Sequence, residues 1–165
     1  MVSAQGLALD PWAPPASREQ LHAFEQSSGF ALPEDYKAFL CKQNGGDLRS
    51  GSPNAFPLGT NRSDYGYLVT VYPFVVGKDE PCTLPYMWRQ NATWLPPELW
   101  PIADDGSGNY VCILLGDADK CGVVYLEHEL LSLPRTSIGE LAEHEGFVPL
   151  TSSFTEFLTT LVYRP

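Results

Sequence analysis

The chain has 165 residues and a formal net charge of -10, which suits one compact acidic domain and leaves little room for two. Hydrophobic residues at 44% against charged residues at 18% exclude a globally disordered chain, because there is enough apolar surface to bury. A pI near 4.6 argues against direct nucleic-acid binding, which needs Lys and Arg to displace counterions, and against attraction to an anionic membrane surface.

No apolar run approaches the roughly 20 residues needed to span a bilayer. The start, Met1-Val2-Ser3-Ala4-Gln5-Gly6, lacks the basic flank and apolar stretch of an export signal. A cytoplasmic location is expected. Cys41, Cys82, Cys112 and Cys121 form no Cys-x-x-Cys pair and have no His at ligand spacing, so free thiols are expected, with neither a metal site nor a cofactor.

Residues 1–16 hold Pro11, Pro14 and Pro15 without a sustained period and read as an irregular lead-in whose Trp12 is available to dock; residues 17–165 read as a single domain. Ser17 with Gln20 spells a capping box, Leu21 and Phe24 form an apolar stripe, and Gly29 offers the left-handed position that ends a helix. Pro33 suits the first turn of a second helix, where Glu34 and Asp35 favour the positive end of the dipole. Tyr36, Phe39 and Leu40 supply its buried face, and Asn44-Gly45-Gly46 stops it. Residues 47–62 read as a loop with a short strand at 56–58. The β-branched and aromatic run 67–76 reads as a strand that Pro73 either ends or confines to an edge. Residues 81–98, with four prolines, Trp88 and Trp94, read as an irregular segment pinned by aromatic packing.

The clearest β signal lies at 99–129. Strands at 100–103 and 110–115 flank Asp104-Asp105-Gly106-Ser107-Gly108-Asn109, whose glycines permit a hairpin, and a third strand at 123–127 completes an antiparallel meander. Tyr110, Cys112 and Leu114 face one way and Val111, Ile113 and Leu115 the other, so this strand is apolar on both faces and covered on both. Ser137 with Glu140 caps a short helix through Leu141. Ser153 with Glu156 caps an amphipathic helix carrying Phe154, Phe157, Leu158, Leu161 and Val162. The fold class expected is α+β: one domain, a mainly antiparallel sheet, helices near the N-terminus and an amphipathic helix at the C-terminal end.

No catalytic constellation emerges, and the chain reads as no enzyme. Asp105-Gly106-Ser107-Gly108 lacks the G-x-S-x-G spelling and the strand-to-helix setting of a nucleophile elbow. His22, His128 and His144 stand beside no nucleophile motif. Asp117-Ala118-Asp119-Lys120-Cys121-Gly122 opens like a calcium loop, but Cys121 offers no hard oxygen at the fifth position and His128 stands at the twelfth in place of a bidentate glutamate. The pairs Asp104 with Asp105 and Glu127 with Glu129 do acid–base work only if a cleft gathers them. Charge is more informative: from Glu98 onward there are 11 acidic and 3 basic side chains, against 9 and 7 before it. Such a one-signed field speeds encounter with a basic partner and is otherwise a solubility device, the commoner role in an arbitrary protein.

The segments Phe24-Glu25, Gly29, Leu32-Pro33-Glu34-Asp35-Tyr36-Lys37, Phe39-Leu40 and Asn44-Gly45-Gly46 recur in order with Pro101-Ile102-Ala103-Asp104-Asp105-Gly106-Ser107-Gly108-Asn109-Tyr110. Val124-Tyr125, Glu127-His128-Glu129 and Ser153-Phe154-Thr155-Glu156-Phe157-Leu158 follow. In these motifs the chain resembles the SUKH superfamily, whose domain is shared by bacterial immunity proteins and fungal cell-wall-synthesis regulators. The resemblance covers most of residues 17–162 and implies an α+β binding domain in which the Leu-Pro-Glu-Asp-Tyr and Asp-Gly-Ser-Gly-Asn motifs are mainly structural. It implies an immunity protein that occludes a cognate toxin domain with a basic surface, a nuclease being one such toxin. The acidic side chains Asp104, Asp105, Asp117, Asp119, Glu127 and Glu129 are the candidate contacts. The alternatives are a regulatory scaffold like the fungal relatives and, more remotely, an acid–base hydrolase. The proline- and tryptophan-rich stretch before Leu99 and the segment 133–150 depart from the family pattern.

Overall fold

The computed structural model describes residues 7–59, 64–75, 80–116, 122–132 and 137–164. The first helix, α1 (Arg18–Ser28), starts at a complete capping box: the Gln20 amide donates to Ser17 Oγ and the Ser17 amide to Gln20 Oε1. It ends at Gly29, whose φ of 79° is left-handed. The second, α2 (Glu34–Lys42), takes Pro33 as its N-cap and packs on α1 through Lys37, 3.0 Å from Glu25 and 2.6 Å from Glu34. Tyr36 and Leu40 are fully buried and Phe39 half-buried.

Strands β1 (Leu9–Asp10), β2 (Gly46–Leu48), β3 (Ala55–Pro57), β4 (Tyr65–Tyr67), β5 (Thr70–Val71), β6 (Leu99–Asp104), β7 (Tyr110–Leu114), β8 (Gly122–Leu126) and β9 (Phe147–Thr151) form two sheets. The larger is antiparallel throughout, in the order β1-β2-β5-β6-β7-β8-β9; the smaller pairs β3 with β4. Three further helices, α3 (Leu84–Asn91), α4 (Ile138–Leu141) and α5 (Phe154–Thr160), and a 3-10 turn at His128–Ser132 complete the single α+β domain. The central strand is covered on both faces as its pattern requires. Val111 and Ile113 belong to the core that packs α1, α2 and α5; Cys112, with Tyr110 and Leu114 beside it, belongs to a second core holding Leu95, Leu130 and Leu141. Cys41, Cys82 and Cys112 are free thiols, and Cys121 lies outside the described residues.

Four readings of the sequence are corrected, and one strand, β9, is added to them. The lead-in is not wholly irregular: Leu9 and Asp10 pair with Leu48 and Asp47, because the glycines after α2 let β2 approach that closely. The run 67–76 divides between β4 and β5, and Pro73 lies beyond both. Within 81–98 stands α3, where Pro85 occupies the first turn and so removes no helical hydrogen bond. β9 was hidden by Pro149, which sits on the sheet edge where its missing N–H costs no ladder bond. The last helix stops at Thr160, and Val162 instead bridges to Ala55.

Two helix caps contribute to the acid limb of stability. Glu156 Oε2 accepts from Ser152 Oγ at 2.8 Å and from the Ser152 amide at 3.0 Å, one residue before the expected partner. Glu140 Oε2 accepts from the Ser137 amide at 2.8 Å and from its Oγ at 2.9 Å. These bonds favour the charged forms and hold both carboxyls below the ordinary 4.5. Their contribution is therefore complete above pH 4.5 and is lost as pH falls below it through the folded-state values. The double variant Glu140→Gln, Glu156→Gln is expected to flatten the decline of melting temperature in that window, followed by circular dichroism.

Candidate functional site

The turn between β6 and β7 is built around one carboxylate. Asp105 Oδ1 accepts from the amides of Ser107 at 2.8 Å and Asn109 at 3.2 Å; Oδ2 accepts from Asn109 Nδ2 at 2.7 Å and from the Tyr125 hydroxyl at 3.2 Å. Asp104 Oδ1 accepts from the Gly106 amide at 2.9 Å. Gly106 and Gly108, with φ of 74° and 99°, take conformations that an L side chain rarely adopts and so allow the chain to close on these oxygens. Asn109 Oδ1 accepts the His128 amide at 2.9 Å and lies 2.9 Å from His128 Nδ1, a bond that needs the ring proton on that nitrogen. The turn is thus tied to β8 and to the chain just beyond it.

Burial, and then the adjacent Asp105 carboxylate, push the Tyr125 hydroxyl well above its ordinary 10.0. Burial, followed by Asp104, does the same to Tyr72. Both hydroxyls are therefore neutral donors at physiological pH.

The register explains which candidate residues meet. Asp104 lies opposite Tyr110 and Tyr110 opposite Leu126, so the β6–β7 turn and the exit of β8 share one end of the sheet. Asp104, Asp105, Glu127 and Glu129 are gathered there, the first two half-buried and the last two exposed. Asp117 and Asp119 lie outside the described residues; the strands flanking them meet at Leu114 and Gly122, the opposite end of the same ladder. The hydrogen-bonding oxygens of Asp105 are occupied within the turn, which they make rigid, whereas Glu127 is exposed, its carboxylate lying beside Gly146. Ser107 sits at the tip of an antiparallel hairpin, away from any strand-to-helix turn. Among the described residues, no group of three His, Cys, Asp or Glu could hold a metal ion.

A second feature adjoins the acidic turn and is not legible in the residue pattern. Val69, 45% exposed, donates its amide to Asp104 O at 2.9 Å, and a Cβ built on Gly106 would lie 3.4 Å from its Cγ2. Tyr67 and Val69 flank Leu68, whose side chain is in the core, so both present apolar surface outward. From Val69 an open groove of about 330 Å³ runs between the 48–54 segment and Tyr163, which is 57% exposed. The signal available in sequence, an apolar residue on either side of Leu68, is the same as that of a strand buried on both faces.

Compared with known families, residues 15–160 match a family model described as the SMI1 / KNR4 family (SUKH-1). A comparison with curated proteins finds no match.

Proposed function

The chain belongs to the SMI1 / KNR4 family (SUKH-1), and from that premise we propose that it is an immunity protein that binds a cognate polymorphic toxin domain and neutralises it by covering its working surface. The partner carries a basic face. The observation that supports this most is the placing of Asp104, Asp105, Glu127 and Glu129 at one sheet end, on a turn already closed by its own hydrogen bonds. A preformed acidic surface spends little free energy on ordering when it binds, and its field raises the rate of encounter with a cation-rich partner. An interface of about 800 Å² on each side suffices for a stable complex. The chain then needs no reactive group, since occlusion alone stops the partner from acting.

The experiment is co-expression with the product of the neighbouring gene, where the toxin of an immunity gene is expected. Survival of cells making both, and death of cells making the toxin domain alone, is the expected result; equal killing in both overturns the reading. The charge contribution has its own readout. Glu127→Lys with Glu129→Lys is expected to slow association about tenfold at low ionic strength and much less at 0.5 M salt, since surface charges are screened over roughly 10 Å at 0.1 M. An association rate equal to wild type at all salt concentrations removes these residues from the contact.

A further inference from the structure

We propose that the groove between the 48–54 segment and Tyr163 is a binding site for the phosphate group of a small molecule, taken up by Arg49, Arg164 and the polar side chains between them. The inference does not rest on the immunity reading, and its test uses this chain alone.

Charge comes first. The chain carries -10 overall, yet the charged side chains lining this groove of about 330 Å³ are two arginines, with no carboxylate among them. On the helices the cations are spent on carboxylates, Arg18 on Glu34 and Lys37 on Glu25 and Glu34. Arg164 has no carboxylate partner among the described residues. Its guanidinium carbon lies 4.0 Å from the centre of the Tyr65 ring, and attraction to the ring face steadies the cation while leaving its N–H groups unspent. Arg49 gives Nε and Nη2 to Asp10 Oδ1, each at 2.9 Å, and Nη2 also to Leu9 O at 3.2 Å. Asp10 offsets part of that charge and fixes the guanidinium in place, and Nη1 stays available.

Unspent donors are the second observation. The Arg164 amide donates to Asn54 Oδ1 at 3.2 Å. An amide N–H bonds only to an acceptor, so this contact fixes which end of the Asn54 side chain is oxygen and leaves Nδ2, which has no acceptor among the described residues, as the other end. Ser52 is 6% exposed, and its Oγ accepts the Ala8 amide at 3.0 Å. Its hydroxyl proton has no acceptor among the described residues, and a hydroxyl buried to this degree in a groove wall is satisfied by an oxyanion. The Ser52 amide donates to Arg49 O at 2.9 Å, so one tight turn holds the arginine and the serine together.

The donor set selects the ligand. It comes from two sides, the 49–52 turn and the pair Asn54 and Arg164, and it carries two cations. A phosphate, with a charge of about −2 and acceptor oxygens pointing several ways, uses donors on both sides, whereas a planar carboxylate is satisfied by one arginine fork. A nucleic-acid strand brings many phosphates against the acidic remainder of the surface; a small molecule with one phosphate does not.

The test is a titration of the full chain with inorganic phosphate, followed by NMR of the backbone amides with ionic strength held constant by sodium chloride. Saturable shifts are expected at Ser50, Gly51, Ser52, Asn54 and Arg164. Arg164→Gln is expected to weaken binding about tenfold or more, the worth of one charge-assisted bond. Asn54→Asp is expected to abolish saturation: its carboxylate still accepts the Arg164 amide, so the local structure is kept, but it sets negative charge where Nδ2 stood. Melting curves verify that both variants fold. Glycerol 3-phosphate is expected to bind as tightly as inorganic phosphate, and acetate at least about tenfold more weakly. Shifts that do not saturate, or wild-type affinity in both variants, overturn the site. Acetate binding as tightly as phosphate overturns its assignment to a phosphate, and saturation by inorganic phosphate but not by glycerol 3-phosphate overturns the assignment to a phosphate carried on a larger molecule.

Discussion

Replacing Trp100 with alanine is expected to lower stability by about 5 kcal/mol, the upper end of the cost of truncating a buried aromatic residue. The side chain is 0% exposed, and its ring packs edge-on against Phe24 at 5.4 Å and Phe30 at 5.9 Å and tilted against Trp88 at 5.0 Å. These neighbours come from α1, the segment after it and α3, each held by its own hydrogen bonds, so they relax little into the space left behind. Trp100 Nε1 also donates to Pro97 O at 2.7 Å, but that carbonyl keeps Trp88 Nε1 at 3.3 Å, so most of the loss is packing. Trp100→Phe is accordingly expected to cost about half as much. Urea unfolding checks both: the midpoint falls in proportion while the slope stays near wild type. A midpoint shift below that of an exposed-site control such as Trp94→Ala contradicts the assignment of Trp100 to the centre of the core.

Replacing Asn44 with alanine is expected to cost about 4 kcal/mol, although only one small polar side chain is lost. The residue is 2% exposed and clasps three segments: Nδ2 donates to Pro14 O at 2.7 Å and to Phe74 O at 2.8 Å, and Oδ1 accepts from the Phe74 amide at 2.8 Å. Each backbone group left buried without a partner costs roughly 1–3 kcal/mol. The two residues that follow have no room to compensate. A Cβ at Gly45 would stand 2.5 Å from Pro73 N, and one at Gly46 would stand 2.1 Å from Asp10 O. Aspartate is no substitute, because an ionised carboxylate accepts from the Phe74 amide but cannot donate to two carbonyls. Native-state hydrogen exchange supplies the specific readout: the Phe74 amide loses protection in Asn44→Ala by more than amides of β7 do. Equal loss everywhere indicates general destabilisation and contradicts a local clasp.

These two residues differ in how they could be recognised. Trp100 announces itself as a large apolar side chain in a strand-forming run. Asn44 stands in an Asn-Gly-Gly sequence that reads as a helix stop, which it is; that it also binds residues 30 positions away in both directions is invisible locally. The acidic site divides in the same way. The Asp104–Asn109 turn is legible because its chemistry is complete within six neighbouring residues. The arrival of Glu127 and Glu129 at the same sheet end follows from the β7–β8 register, and the exposed face of Tyr67 and Val69 follows from which strands end beside them.

What the sequence determined by itself are the features whose interactions span a few residues or repeat with a regular period. The caps at Ser17 and Ser137, the left-handed stop at Gly29, the β6–β7 hairpin and the two-faced apolar strand β7 are of this kind, as is the acidic balance of the chain. Only the tertiary structure decided the strand at Leu9–Asp10, the helix inside the proline-rich stretch, the edge strand through Pro149 and the groove beside Val69. In each of those, local preference is weak or points elsewhere. The outcome is set by which distant backbone groups need partners and which apolar faces find cover, quantities that exist only once the chain has folded.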